Sequence, residues 1–91
     1  MEHHVVECSY DEPLSEADDK AAAAVVDQYL EANGGHWVRS YYSKDRTRMI
    51  CDIEAPDAKI VRQAFFEAKI PVDAVYPAIL YEKEMANQPA R

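Results

Sequence analysis

Glu7, Arg39, Tyr41, Arg48 and Asp52 are the side chains of this 91-residue chain whose types and spacing together point to chemistry. Carboxylates, guanidinia and a phenol form a set that can bind a small polar ligand or move a proton. Arg39 can fix an anionic group through two parallel hydrogen bonds, and Glu7 or Asp52 can accept a proton or pair with Arg39. The set works only if its members share one surface, and the strand patterns predict that they do. In Thr47 to Ala55, Met49, Cys51 and Ile53 alternate with Arg48, Ile50, Asp52 and Glu54. That alternation gives the first three to a core and puts Arg48, Asp52 and Glu54 on the opposite face. By the same parity Glu7 of an earlier strand, and Trp37, Arg39 and Tyr41 of another, belong to the outer face. A satisfied ion-pair network or a solvated face competes with the site reading, because structural ion pairs commonly imitate sites.

Three further groups invite a chemical reading. His3 stands third from the amino terminus. An amine, two deprotonated amides and that imidazole can form a square-planar nitrogen site suited to nickel or copper, provided the terminus is free of structure. His4 points away from His3 if both lie in a strand, and His36 opens another strand, so the three histidines form no ready chelate. Cys8 and Cys51 fall inside strand patterns, where a thiol more commonly acts as a small apolar side chain than as a nucleophile. Their expected offset across neighbouring strands, Cys51 near Val5 or Val6 and Cys8 near Met49, does not suit a disulfide. Six tyrosines are many for this length; they can line a pocket, or pack at an interface where a polar tip on an apolar ring is useful.

The elements that must position these groups follow from period and punctuation. His3 to Tyr10 reads as a strand. Ser15 can cap a helix whose first turn carries Glu16, Asp18 and Asp19, and whose apolar face is Ala22, Val25, Val26, Tyr29 and Leu30. Asn33-Gly34-Gly35 stops it. His36–Ser43 and Thr47–Ala55 are strands joined by a polar turn. Pro56 fits the first position of a second helix, with Asp57 in its first turn, and Ile60, Val61, Ala64, Phe65 and Ala68 form its face. Pro71 ends that helix, and Ala74 to Glu82 is the last strand. The order β-α-β-β-α-β is the ferredoxin-like, split βαβ plan of the α+β class. Right-handed crossovers give the spatial strand order 4-1-3-2, with both helices on one face. The expected division is one domain, 1–82, and a loose tail, 83–91.

Composition narrows the partners. A formal net charge of −7 argues against nucleic acid and against an anionic membrane surface. No apolar run reaches the length of a membrane span, and the thiols suit a cytoplasmic location. A chain this short buries a modest share of its surface, so pairing with a second copy is a natural supplement.

Val5-Val6-Glu7, Trp37-Val38-Arg39-Ser40, Arg48-Met49-Ile50-Cys51, Glu54-Ala55-Pro56-Asp57, Val61-Arg62, Ala68 and Ile70-Pro71-Val72-Asp73 resemble a family of small bacterial proteins. The best-known branch of that family is described as nickel-binding. The resemblance implies a ferredoxin-like homodimer, a dimeric α+β barrel in which two sheets face each other around a cavity. That branch looks histidine-rich in its first strand and both helices, whereas the helices here read Ala21-Ala22-Ala23-Ala24 and Ala64-Phe65-Phe66-Glu67. The resemblance therefore carries over fold and dimer, and no ligand set. The expected function is a homodimeric binder of a small polar molecule or of a divalent metal such as nickel. The alternative is a small cofactor-free enzyme, of isomerase or monooxygenase type, working in the dimer cavity.

Overall fold

Alternation builds the sheet. In the computed structural model, which describes residues 2–87, β1 (Glu2–Ser9) buries His4, Val6 and Cys8, while β3 (Arg48–Ala55) buries Met49, Cys51, Ile53 and Ala55. β2 is His36–Tyr42 and β4 is Ala74–Ala78. The strands lie in the order β2-β3-β1-β4, all pairs antiparallel, as the crossover rule predicts. In the β1–β3 ladder Val6 faces Cys51 and Cys8 faces Met49. Both cysteines are buried and free.

Helix α1 (Glu16–Ala32) starts where Ser15 Oγ accepts the Asp18 amide, and it buries Val26 and Leu30. Val25, assigned by period to the same face, is 39% exposed. At the far end Gly34 takes φ +81°, and the Gly35 amide donates to the Leu30 carbonyl at 2.8 Å. This closes the helix with its last carbonyls satisfied. Helix α2 (Ala58–Glu67) begins two positions later than expected. Asp57 is its cap, accepting the Ile60 amide at 2.9 Å, and Pro56 precedes the cap. Pro71 does not end it either. Lys69 adopts φ +58°, and the Lys69 and Ile70 amides donate back to Phe66 and Phe65 at 3.0 Å. Val26, Leu30, Val61, Ala64 and Phe65 meet the inner face of the sheet in one core.

Three departures bear on function. The β2–β3 register shifts between Trp37 and Arg39: Trp37 pairs with Ile53 and Arg39 with Asp52, so Val38 is an extra residue. The bulge reverses parity. Trp37 therefore turns inward, against expectation, packs on the core, and donates its indole N–H to Ser40 Oγ at 2.8 Å. Second, β4 ends at Ala78, not Glu82, because its partner β1 has only Glu2 beyond His3, which pairs with Ala78. The chain runs on unpaired through Ile79, Leu80 and Tyr81. Third, Lys83–Ala86 form one helical turn, α3, where no apolar period announced a helix. The last residues of the expected tail lie outside those described.

Candidate functional site

The outer face of the sheet is organised in cross-strand rows. His3, Glu54 and His36 form one row, Val5, Asp52 and Arg39 the next, and Glu7, Ile50 and Tyr41 the third. Arg48 lies one row further, opposite Ser9.

The first two rows hold the densest chemistry. His3 Nδ1 is 2.8 Å from Asp52 Oδ1, and His3 Nε2 is 3.4 Å from Glu54 Oε1. The other oxygen of Glu54 is 3.1 Å from His36 Nε2. One imidazole thus stands between two carboxylates, and a second imidazole reaches the far side of the same glutamate. His3, Asp52 and Glu54 are half-buried, and His36 is more open. The strand geometry forces this grouping. Glu54 sits two residues beyond Asp52 on the same side, and the register sets a histidine on each side of it.

Of the five residues singled out by parity, three converge. Arg39, Tyr41 and Asp52 line one cavity of about 270 Å³, together with His3, Val5, Ile50 and the Ala78–Tyr81 segment. Arg39 lies across the ladder from Asp52, yet Asp52 is engaged by His3. Among the described residues Arg39 makes no ion pair within 4.0 Å. Glu7 and Arg48 do not line this cavity. Glu7 Oε2 accepts the Tyr76 hydroxyl at 2.7 Å, a bond that raises the pKa of the phenol. Sequence reasoning missed Glu54, whose outward parity was available, and His36, which shares the outer face only because the bulge at Val38 reverses the parity of β2.

The inner side offers no comparable opportunity. Burial pushes the Cys8 thiol up to about 12 and the Cys51 thiol up to about 11, the latter partly offset by the Ser40 hydroxyl that donates to its sulfur at 3.0 Å. Thiols held protonated are poor nucleophiles and poor ligands. His4, buried against the helices, has no hydrogen-bond partner for either ring nitrogen; its nearest charge is Glu2 Oε1, 3.5 Å from Nε2. The amino-terminal chelate does not fit the backbone as folded. Glu2 and His3 already belong to β1, and Nδ1 of His3 is engaged by Asp52; Met1 lies outside the described residues.

A family model described as nickel responsive protein, SCO4226-like, matches residues 3–77. The crystal structure of SCO4226 from Streptomyces coelicolor A3(2) is similar, with a TM-score of 0.76 at 14% sequence identity, covering 88% of this chain and 99% of that one. No curated protein sequence matches the chain. The chain belongs to the SCO4226-like family of nickel-responsive proteins.

Proposed function

We propose that this member of the SCO4226-like family is a homodimeric binding protein for a divalent metal ion, with nickel as the ion. His3, His36 and Glu54 are the ligands and Asp52 orients His3. The observation that supports this reading is the His3 imidazole between two carboxylates. A neutral imidazole has one N–H to give. If Asp52 takes it at 2.8 Å, the lone pair on Nε2 faces Glu54 across 3.4 Å. A cation placed there satisfies both.

The donor set fits the group. Two imidazoles and a carboxylate suit nickel, copper or zinc more than magnesium or calcium. Metal bonds of about 2.1 Å place neighbouring ligand atoms about 3 Å apart. The N···O separations of 3.1 and 3.4 Å are close to that spacing pair by pair. Among the described residues no three donors already surround one point, so binding draws in the His36 ring and the Glu54 carboxylate by side-chain rotation. Asp52, accepting the Nδ1 proton, fixes the ring so that Nε2 faces the metal, the usual carboxylate support of a histidine ligand.

The homodimer reading draws on the same face. Tyr41 is 69% and Ile50 50% exposed there, and the neighbouring Ile79 and Tyr81 are 92% and 71% exposed. Apolar exposure of this kind in a small domain marks a surface to be covered. Cofactor-free catalysis is the weaker reading, because the carboxylates it would use are engaged, Glu7 by Tyr76 and Asp52 by His3.

Calorimetric titration of the protein with nickel chloride, with light scattering alongside, tests the proposal. One nickel per chain is expected, with affinity lowered at least about tenfold in His3→Ala and in His36→Ala. Wild-type nickel affinity in both variants would reject these ligands. A monomer at every concentration tested would reject the dimer.

A further inference from the structure

We infer that the cavity between the outer sheet face and the Ala78–Tyr81 segment binds a small organic monocarboxylate with an apolar body, clamped by Arg39. This site adjoins the proposed metal site, since His3 and Asp52 also line it, and it lies on the face proposed to pair in the dimer; Arg39, which defines it, is not among the proposed ligands.

The cavity lining is mostly apolar, with the His3–Asp52 pair on one wall and the Arg39 guanidinium beside it. Val5 and Ile50 form its floor, Tyr41, Leu80 and Tyr81 contribute rings and an aliphatic wall, and Arg39 supplies the positive charge. A lone guanidinium beside apolar side chains is an anion receptor, since its planar fork matches a carboxylate bidentately. Asp52 is the ladder partner that would normally neutralise Arg39, and it is turned to His3 instead. The charge of Arg39 is therefore available in a chain whose net charge is −7.

Size and charge narrow the class. A volume of about 270 Å³ accommodates on the order of ten non-hydrogen atoms, at the roughly 30 Å³ a water molecule occupies in the liquid. Asp52 lines the cavity in Arg39's own row and Glu54 stands in the next, so a dianion such as a phosphate monoester meets two carboxylates against one guanidinium and is disfavoured. A monoanion with a compact ring or short chain meets the Arg39 guanidinium and an apolar bed, and the one carboxylate in the lining, Asp52, is engaged by His3. Benzoate is a probe of the right size and charge, and benzamide is its neutral match in shape.

The experiment follows backbone amide shifts in metal-free protein, with EDTA present, during titration with benzoate, phenylacetate, hexanoate and benzamide. Saturable shifts at Ile50 and Leu80 are expected for a carboxylate, with benzamide at least about tenfold weaker. Arg39→Met should weaken carboxylate binding by about tenfold or more, and Arg39→Lys should fall between, since a lysine keeps the charge and loses the fork. Arg48→Met, on the same face but outside the cavity, should bind as wild type. So should His36→Ala, which removes a proposed nickel ligand and does not line the cavity; this separates the two readings. The inference is overturned if none of the three carboxylates binds saturably below about 10 mM. It is equally overturned if benzamide binds as well as benzoate, or if folded Arg39→Met matches wild type.

Discussion

Replacing Gly35 by alanine isolates the backbone contact that seats β2 beside the Glu54 end of β3. Gly35 is buried, and a Cβ there would meet the Glu54 carbonyl oxygen at 2.7 Å, with Ala55 Cβ at 3.2 Å. Ordinary contact is reached only if the two backbones separate by about 0.7 Å. The obstructing atoms belong to β3, which is paired on one side with β1 and on the other with β2. They cannot swing aside as a surface side chain would. Overpacking of this kind costs roughly 1–3 kcal/mol, which lowers the melting temperature by about 5–20 °C in a domain of this size. Gly34→Ala is the internal control. Its added Cβ meets only Pro56 Cγ at 3.8 Å, so the cost is the left-handed strain at φ +81°, roughly 1 kcal/mol. Urea unfolding followed by the fluorescence of the single tryptophan, Trp37, measures both. Gly35→Ala should be the more damaging, and it should also weaken nickel binding, because the next residue, His36, must reach Glu54. A Gly35→Ala protein at least as stable as Gly34→Ala would refute the reasoning.

Lys69→Gly should stabilise the fold by roughly 0.5–1 kcal/mol, because Lys69 holds φ +58° at the end of α2, where glycine pays no side-chain penalty; unchanged or lower urea midpoints would contradict this. The buried acids predict alkaline sensitivity. Cys8 is raised from 9.0 to about 12, Cys51 from 9.0 to about 11 and Tyr10 from 10.0 to about 12, all chiefly by burial, so the folded state holds these protons more tightly than the unfolded chain. Their contribution is complete below pH 9 and drains away as pH rises from 9 toward 12, and urea midpoints that stay level across that interval would show the sign to be wrong. Both thiols should react with a disulfide reagent in denatured, unreduced protein and neither should react promptly in the folded state at neutral pH. Finding fewer than two in the denatured protein would indicate a linkage that the register between Cys8–Met49 and Val6–Cys51 does not favour.

Strand alternation made the fold legible. Met49, Cys51 and Ile53 announce a half-buried strand, Ser15 and Asn33-Gly34 bracket a helix, and four strands with two crossovers leave one right-handed arrangement. Helix ends were less legible. Lys69 in a left-handed cap has no glycine to advertise it, and Asp57 competes with Pro56 for the start of α2, where a proline can as well precede the cap as follow it. The bulge at Val38 left no trace in Trp37-Val38-Arg39, because an extra residue is a property of pairing and not of local sequence. Its effect is large: Trp37 moves from the outer face to the core, where its N–H anchors the Ser40 to Cys51 chain of hydrogen bonds.

The site was legible in its location and not in its partnerships, and the reason is general to sheet faces. Parity and register place Asp52 between β1 and β2 and bring Arg39 opposite it. They do not decide which neighbour the carboxylate takes. On a crowded face each acid has candidates on both flanking strands, and here His3 takes Asp52 at 2.8 Å and leaves Arg39 without an ion pair among the described residues. That choice has two consequences from one event. It puts the His3 imidazole between two carboxylates, the arrangement that a cation would satisfy, and it frees a guanidinium over an apolar bed, the arrangement that an anion would satisfy. A substitution at Asp52 should therefore disturb both readings together, whereas His36→Ala and Arg39→Met should each disturb one. The inner face, with its protonated thiols and closed packing, has no such division of labour, and so both proposed sites lie on the side of the sheet that the helices leave open.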